Sequence, residues 1–409
     1  MVASAVSTTP LLPPWSDLLP DLLGRVIALL PSPTDRARFR AVCRAWHSAA
    51  RVHVRQLPWI VHPDCSFSTI GDDGEHFHRI PGLPHENATC LGATDDWLAL
   101  DCTDDPRPDV KHRHTYLLHN PFSGETVPLR ELDSVVGHVA ETFEIRKVLM
   151  RSSNPGDLVA VIANNWNYNV ILCRPGKGKC VVPDLRVFDV AFLGDRLYGI
   201  TPEEELVAVE IDEDEDGRPT VTKCTRVIKK PLGADGWEDP WSWMYHDNSS
   251  DEDDDDSSFD GDDMVPDGEV RIRDEEVPYE PKDYICTIRY LVKSSNAELL
   301  LVRHLVQIPP LSSQYTRNVE VFKADISAGN WAPVTSDAIA KGEALFLSRS
   351  SSKYTLAYRD IEESLIYFTY QEEVFDVTSR APWPFMLPNQ IRRESPELLT
   401  WLFPPELVV

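Results

Sequence analysis

The feature that most constrains this 409-residue chain is an apolar helical segment near its start, residues 15–55. Between positions 21 and 30 the apolar side chains are Leu22, Leu23, Val26, Ile27, Leu29 and Leu30. At 3.6 residues per turn, these positions spread over more than the one stripe that a surface helix buries. A unit of about 40 residues is too small to cover both faces of such a helix. The segment is therefore predicted to keep one apolar face for a partner.

Two more helices are indicated after this first one. Ser32 is a suitable N-cap, Pro33 suits the first helical position, and Asp35 follows three residues after the cap. Apolar side chains then recur at helical spacing through two segments, at Phe39, Val42, Cys43, Trp46 and Ala50. This pattern predicts a compact three-helix unit.

The order and spacing of these residues resemble the F-box. Leu19-Pro20 stands at the Leu-Pro pair of that family, and residues 42–46 match its Val-Cys-Arg-x-Trp run. The sequence departs from the family at Arg36 and Ala37, where Leu is common, and at His47, where Arg is common. The resemblance implies a module over residues 15–56 that binds the small Skp-type adaptor of a cullin-based ubiquitin ligase.

The same resemblance implies roles for individual residues. The implied adaptor contacts are Leu19, Pro20, Leu22, Leu23, Ile27 and Leu30. The residues implied to hold the three helices together are Phe39, Val42 and Trp46. The alternative interpretation is an ordinary N-terminal helical hairpin that packs on its own domain.

The net charge of −26 is unevenly distributed along the chain. Residues 247–280 hold sixteen Asp and Glu against Arg271 and Arg273, which gives this stretch −14 and leaves −12 for the other residues. Nucleic-acid binding requires a basic stripe along the phosphates, so this balance argues against it. We expect no nucleic-acid partner.

Eight cysteines are scattered along the chain without a C-x-x-C pair, so zinc or redox spacing is missing. Cys173 and Cys180 flank a turn and can face each other across a hairpin, where a reducing compartment would keep them as two thiols. The first fifteen residues have no basic start and no long apolar core, and no apolar run reaches the ~20 residues that span a bilayer. These observations predict a location in the cytoplasm, the nucleus or both, and no membrane partner.

From Pro58 onward, short strand-like segments replace the helical periodicity. The sequence VAFLGDRLYGI, with Gly194-Asp195 at its centre, predicts a tight hairpin. Groups of about four such strands recur five times without helical patterns between them, the fifth taking residues 344–348, 354–358, 364–370 and 373–377. Sequential antiparallel meanders of this kind favour an all-β propeller over a βαβ fold.

The ring of the predicted propeller needs a closing blade. A strand from residues 398–405 can pair with the segments after Pro58, which gives a composite blade and a total of six, with seven as the alternative count. A pair of β-sandwiches is the other architecture that the strand pattern allows. The predicted propeller domain covers residues 58–409, with a disordered acidic insertion at about 247–268.

The order of segments in this domain resembles the plant F-box proteins with a KIB-type β-propeller. The segments that carry the resemblance are NPFSGETVPL, CRPGKGKCVV, DVAFLGDRLYGI, YLVKSSNAELLLVRH, VFKADISAGNWAPV and SLIYFTY. The last motif departs from the family, because Asp360 to Ser364 replace its glycine-rich residues before Leu365. The resemblance covers nearly the whole chain.

No catalytic motif stands out, and we expect no metal and no cofactor. Residues 212–217 copy the first half of an EF-hand loop, but Lys223 occupies the position that needs a bidentate Glu. The pairs His76/His78 and His112/His114 put two imidazoles on one strand face, without further ligands nearby. Solvent-exposed histidines are the better interpretation of both pairs.

Two features near the middle of the chain concern partners and regulation. Trp237, Trp241 and Trp243 can form an aromatic hot spot for a partner or take part in blade packing, and packing is the preferred interpretation. Ser249, Ser250 and Ser257 each have an acidic residue three positions on, as acidophilic kinases require.

These patterns predict a substrate-recognition subunit of a Skp–cullin–F-box ubiquitin ligase that performs no bond chemistry itself. The helical module would hold the adaptor, and the propeller would bind an unknown target protein. Two alternatives stay open at this stage. One is a non-degradative F-box scaffold, and the other is a propeller-based enzyme.

Overall fold

The computed structural model describes residues 15, 18–30, 33–53, 57–70, 77–103, 114–136, 144–165, 167, 169–229, 284–309, 314–334, 339, 341–357, 361–369, 373–384 and 399–404. Three helices come first along the chain: α1 (Pro20–Ala28), α2 (Pro33–Arg40) and α3 (Arg44–His53). The start of α2 at Pro33 confirms the predicted helix start. Pro20 opens α1, where its missing N–H costs no hydrogen bond.

Within the described residues twenty-five strands follow, and hydrogen bonding groups them into six sheets, numbered as blades 1 to 6. Blade 1 begins with β1 (Trp59–Val61), β2 (Ser66–Thr69) and β3 (His78–Arg79). Blade 2 holds β4 (Ala88–Thr94), β5 (Trp97–Thr103), β6 (His114–His119) and β7 (Thr126–Pro128). A short helix, α4 (Arg130–Val136), comes next. Blade 3 holds β8 (Ile145–Met150), β9 (Val159–Ala163), β10 (Val170–Arg174) and β11 (Gly178–Val181).

The remaining blades follow in chain order. Blade 4 holds β12 (Asp189–Leu193), β13 (Arg196–Ile200), β14 (Leu206–Glu213) and β15 (Pro219–Ile228). Blade 5 holds β16 (Tyr284–Lys293), β17 (Leu299–Ile308), β18 (Tyr315–Asp325) and β19 (Asn330–Val334). Blade 6 holds β20 (Glu343–Leu347), β21 (Ser352–Leu356), β22 (Leu365–Phe368), β23 (Glu373–Asp376) and β24 (Ala381–Pro384). The last strand, β25 (Thr400–Leu402), returns to blade 1.

Blade 1 is composite, as predicted. β25 pairs antiparallel with β1, with Trp401 opposite Ile60. The sheet order of this blade is β25-β1-β2-β3, so the C-terminal strand takes the innermost position. The predicted six-bladed propeller is therefore confirmed.

Six hydrophobic clusters lie between the blades, one at each interface of the ring. Alternate side chains of a strand enter neighbouring clusters: Val190 packs towards blade 3, whereas Ala191 packs towards blade 5. Each blade thus has two buried faces, which a pair of separate β-sandwiches does not provide. The β-sandwich alternative is wrong.

A polar connection joins three successive innermost strands. Lys147 Nζ on β8 lies 2.5 Å from Asp189 Oδ1 on β12, and both side chains are buried. The other carboxylate oxygen of Asp189 accepts a hydrogen bond of 2.8 Å from the Leu291 amide on β16. Burial of an unpaired charge costs free energy, and here the two buried charges, Lys147 and Asp189, are paired with each other.

Blade 6 departs from the predicted meander. It has five strands in the order β21-β20-β22-β23-β24, and β20 runs parallel to β22. β20 is buried on both faces from Ala344 to Leu347, which suits a position inside the sheet. β21 is more polar and half-exposed, which suits the innermost position beside the channel. β24, which was not predicted, forms the outer edge.

Three further details test the sequence-based expectations. The hairpin at Gly194 is confirmed, with a φ of 61° that glycine tolerates in a two-residue turn. The helix α4 was not predicted, and it buries Leu132 and Val135 against blades 2 and 3.

Cys173 lies opposite Lys179, and Cys180 lies opposite Leu172, so the two cysteines point to opposite faces of the sheet. The expectation that they face each other is wrong.

Candidate docking surface

The inward face of α1 forms the core of the helical unit. Leu23 and Ile27 are buried there, together with Phe39 of α2 and the paired Ala49 and Ala50 of α3. The two alanines are small enough to let α1 and α3 approach closely. Leu18, Leu30 and Trp46 are half-buried around this core.

Trp46 joins the start of the helical unit to its core. Its ring centroid lies 4.3 Å from that of Phe39 and 6.4 Å from that of Trp15. Its indole N–H donates a hydrogen bond of 2.9 Å to the Trp15 carbonyl. Phe39 and Trp46 therefore hold the helices together, as their predicted core role requires.

The outward face of α1 carries four large apolar side chains. Leu19, Leu22, Val26 and Leu29 follow each other at spacings of three and four, which puts them on one side of the helix. Their exposed fractions are 67%, 44%, 41% and 82%. We call these four residues the α1 stripe. Trp15 and Val42 are also exposed in the same helical unit.

The predicted adaptor contacts overlap only in part with the α1 stripe. Leu19, Pro20 and Leu22 are exposed and Leu30 is half-buried, so their side chains are accessible. Leu23 and Ile27 fill the helical core of the free chain, so their assignment as adaptor contacts stays a prediction.

The assignment of Val42 to that core is wrong, since Val42 is 56% exposed in the turn before α3. Val26 and Leu29 were missed as surface residues. A strict count of three and four from Leu22 would have found them.

Charged residues lie beside the α1 stripe rather than on it. Asp21 and Arg25 are exposed on α1, and Asp35 and Arg38 of α2 form an exposed ion pair of 3.0 Å. An apolar centre with a charged surround is the usual anatomy of a protein–protein interface. The stripe itself contains no titratable group, so its chemistry is limited to burial of apolar area.

The other candidate residues give no second site. His114 Nδ1 lies 2.8 Å from Asp101 Oδ2, and burial raises the pKa of that carboxyl group. His78 lies beside Phe67, with 5.4 Å between the ring centroids. Among the residues that the structure describes, no group of three His, Cys, Asp or Glu side chains is placed to hold a metal ion.

The acidic loop 212–217 is an ordinary turn. It joins β14 to β15, and the Asp214 carboxylate accepts hydrogen bonds from the amides of Asp216 and Arg218.

Several predicted features lie outside the described residues: His76, His112, the tryptophans Trp237, Trp241 and Trp243, and the acidic tract 247–268. No described helix is long and apolar enough to cross a bilayer.

Comparison with known proteins identifies the propeller. A family model described as the KIB1-4 beta-propeller matches residues 67–390. The chain belongs to this family. The match runs from β2 to just beyond β24, so it covers blades 2 to 6 and the outer strands of blade 1, and the pairing of β25 with β1 completes the ring.

Three proteins of Arabidopsis thaliana are similar to parts of this chain. F-box protein At2g05970 is 48% identical over 131 residues, which are 28% of this chain and 32% of that protein. Putative F-box protein At4g17565 is 28% identical over 138 residues, 30% of this chain and 34% of that protein. Putative F-box protein At2g04810 is 23% identical over 172 residues, 41% of this chain and 36% of that protein. Each match thus spans about a third of the relative's length.

Among solved structures, the GH74 xyloglucanase from Xanthomonas campestris aligns with 79% of this chain and 58% of its own, at 11% identity. The TM-score is 0.23, so this likeness carries no argument about fold or activity.

Proposed function

We propose that this protein is a substrate-recognition subunit of a Skp–cullin–F-box ubiquitin ligase. The observation that carries the proposal is the α1 stripe, which leaves Leu19, Leu22, Val26 and Leu29 exposed on one side of a small helical unit. Burying such a stripe against a partner is worth about 25 cal/mol for each Å² of apolar surface. A docking module needs this property.

The identity of the partner is inferred from resemblance. Residues 19–46 resemble the F-box, and the three Arabidopsis relatives are named F-box proteins. The expected partner of this helical unit is therefore a Skp-type adaptor, and through it a cullin. The ligase would work in the cytoplasm, the nucleus or both.

The propeller would then supply target recognition without bond chemistry. Six interlocked blades give a rigid surface, and a rigid surface loses little conformational entropy on binding. Holding a target near the charged conjugating enzyme raises its effective concentration for ubiquitin transfer. This role requires no cofactor, no nucleic acid and no membrane.

The proposal is tested by co-purification of the full chain with a plant Skp-type adaptor. The test variant is Leu22→Asp/Leu29→Asp, which puts two carboxylates on the α1 stripe. Both positions are exposed, so the helical core should remain intact. We expect retention of the adaptor to fall at least about tenfold, because two buried charges would have no partner.

A matched control variant is Leu356→Asp. Leu356 is an exposed leucine of the propeller, so this variant adds a charge without touching the helical unit. It should retain the adaptor as the wild type does. If the wild-type chain does not retain the adaptor, or if the double variant retains it equally well, the proposed function is wrong.

A further inference from the structure

A groove of about 580 Å³ lies at the outer rim of the propeller, between blades 3 and 4. Its lining comes from the connection 183–186 between β11 and β12, from residues between 201 and 207 around the turn that joins β13 to β14, and from residues between 221 and 226 of β15. We call this feature the rim groove. A volume of this size is typical of sites that enclose a small molecule.

The lining of the rim groove combines apolar and acidic groups. Its apolar members are Pro183, Leu185, Pro202, Val207 and Val221. The carboxylates of Asp184 and Glu203 are exposed there and form no ion pair with a described residue. An indole ring suits this lining, since its faces cover apolar surface and its N–H donates a hydrogen bond to a carboxylate.

β15 has the longest free edge among the outermost strands of the blades. It has ten residues, whereas the outermost strands of the other five blades have two to five. Among the described strands it pairs with β14 only, and Thr222, Lys223 and Cys224 are exposed along it. A long unpaired edge invites wrong pairing, and proteins protect such an edge with charges or with a covering segment. The edge of β15 therefore suits a further segment of the chain.

The chain that follows β15 can return along this edge. β15 ends at Ile228, and residues 230–283 lie outside the described residues. Pro231 and Gly233 are residue types that favour a reversal of the chain. A reversal over residues 229–234, a common length for a connection, would start a returning segment at residue 235.

A bulge in β15 decides which of its side chains line the rim groove. The pairing of β15 with β14 skips Thr222, which makes this threonine the extra residue of the bulge. Because of the bulge, Val221, Cys224 and Arg226 share one face of the strand, and all three line the rim groove.

The register of the returning segment matches this face. If residue 235 lies opposite the last residue of β15, Trp237 lies opposite Arg226, and Trp241 lies opposite Val221 once the bulge is counted. Opposite side chains share a face, so both indole rings would enter the rim groove. An indole ring packs favourably on a guanidinium group as well as on an aliphatic side chain.

The residues between the two tryptophans suit the same register. Asp239 would lie opposite Cys224 and next to Lys223, an exposed lysine that forms no ion pair with a described residue. Opposite charges on neighbouring strands attract each other. Pro240 would lie at the bulge of β15, and proline is tolerated in an outermost strand.

We propose that residues 237–241 of this chain occupy the rim groove as an added outer strand of blade 4. The Trp237 ring covers Arg226, the Trp241 ring covers Val221, and the carboxylates of the groove accept their indole hydrogens. This arrangement gives the tryptophans a packing role and fixes the start of the acidic tract at the rim of blade 4. It does not depend on the proposed function, so a failure of adaptor co-purification leaves it unchanged.

Cys224 reports whether the rim groove is covered, because it lines the groove and is exposed in the described residues. The experiment alkylates the native full chain with N-ethylmaleimide and follows each cysteine by peptide mass spectrometry. We expect Cys224 to react at least about tenfold more slowly in the wild type than in Trp237→Ala/Trp241→Ala, where the covering segment opens. Equal rates would show that the segment does not cover the groove.

Other positions in the same experiment serve as controls. Cys173 is fully buried and should stay unreactive in every variant that remains folded. Cys43 of the helical unit should react at one rate in all variants. Trp243→Ala is the matched control, because Trp243 follows beyond the lining of the groove and its loss should leave Cys224 slow. An effect as large as that of the double variant would contradict the proposed register.

A peptide added in trans identifies the occupant. A synthetic peptide of residues 235–245, at millimolar concentration, should slow the reaction of Cys224 in the double variant, and the same peptide with Ala at 237 and 241 should not. Absence of protection by the first peptide would overturn the proposal. Protection that weakens when the wild-type chain is diluted would indicate a second copy as the occupant and would overturn it as well.

Discussion

The helical unit and the propeller treat apolar surface in opposite ways. Ten large hydrophobic side chains are strongly exposed among the described residues, and six of them belong to the helical unit: Trp15, Leu19, Leu22, Val26, Leu29 and Val42. The described part of the propeller, although many times longer, exposes only Tyr315, Ile326, Leu356 and Trp383. Every blade finds its cover in the next blade. Within the described chain, the α1 stripe finds none.

This difference in exposed apolar surface suits the two regions to different kinds of contact. A closed ring satisfies its own hydrophobic faces, so its surface is available for selective contacts made by polar and charged groups. A three-helix unit of this size cannot do the same, so a partner that covers its exposed stripe would add to its stability. The following predictions test this contrast, from the largest expected effect to the smallest.

The ring depends on its closing strand. Trp401 is fully buried, donates a hydrogen bond of 3.1 Å to the Leu347 carbonyl, and meets the Phe346 ring edge-on. Trp401→Ala should lower the free energy of unfolding by about 3–5 kcal/mol, as measured by urea denaturation. Trp383→Ala removes an exposed tryptophan of blade 6 and should cost less than about 1 kcal/mol. Equal losses in the two variants would contradict the closed ring.

Substitutions on the inward face of α1 should destabilise the helical unit, whereas substitutions on its outward face should not. Ile27→Ala removes a fully buried side chain and should cost about 2–5 kcal/mol. Hydrogen exchange of peptides from residues 20–53 should then become fast. Leu29→Ala, two residues away, should change stability by no more than about 0.5 kcal/mol, because Leu29 is exposed. Comparable exchange in the two variants would mean that α1 buries a different face.

Acid should destabilise the propeller through a buried histidine. Burial lowers the pKa of His304 to about 3, and its ring stacks on Phe368 with 4.0 Å between centroids. The unfolded chain takes up a proton near pH 6.5, whereas the folded chain does not, so stability falls as the pH drops from about 6.5 towards 3. At pH 5 this group should cost about 2 kcal/mol.

The variant His304→Phe tests this pH dependence. Its free energy of unfolding, measured by urea denaturation, should fall less between pH 7 and pH 5 than that of the wild type. The exposed His85→Asn should keep the wild-type slope. A wild-type slope in His304→Phe would show that other groups govern the acid response.

The smallest effect is expected for the acidic tract 247–268, which lies outside the described residues. It brings almost no apolar area to offset an ordering cost of about 1–2 kcal/mol per residue. Replacing it with a short Gly/Ser linker should leave the melting temperature unchanged or slightly higher, since like charges are removed. A cooperative loss of folding in a calorimetric scan would contradict this prediction.

Short-range patterns account for most of what the sequence predicted correctly. The hairpin at Gly194 and the start of α2 at Pro33 depend on residues close together in the chain, where turn and capping chemistry decides. The composite blade was also predictable. A ring of meanders needs a closing strand, and the apolar segment 398–405 belonged to none of the five predicted strand groups.

The errors have physical causes of their own. Nothing local distinguishes β21 from the second strand of a meander. Its innermost position shows only in contacts between residues far apart in the sequence, such as the Lys353–Asp95 ion pair. The two faces of α1 carry similar apolar residues, so the sequence of the helix does not show which face is buried. Leu23 and Ile27 face inward because they pack against Ala49 and Ala50 of α3. The rim groove combines residues from separate segments of the chain, so no single motif could indicate it.

The pairing of β25 with β1 has a consequence for how the chain is made. Residues 59 and 402 lie in adjacent strands, so the ring cannot close on the ribosome before residue 402 has emerged. The helical unit precedes the propeller along the chain and folds from local contacts, which form fast. On the proposed function, an adaptor would meet a folded helical unit while the propeller is still open, at the time when the edge of β1 is most exposed to wrong pairing.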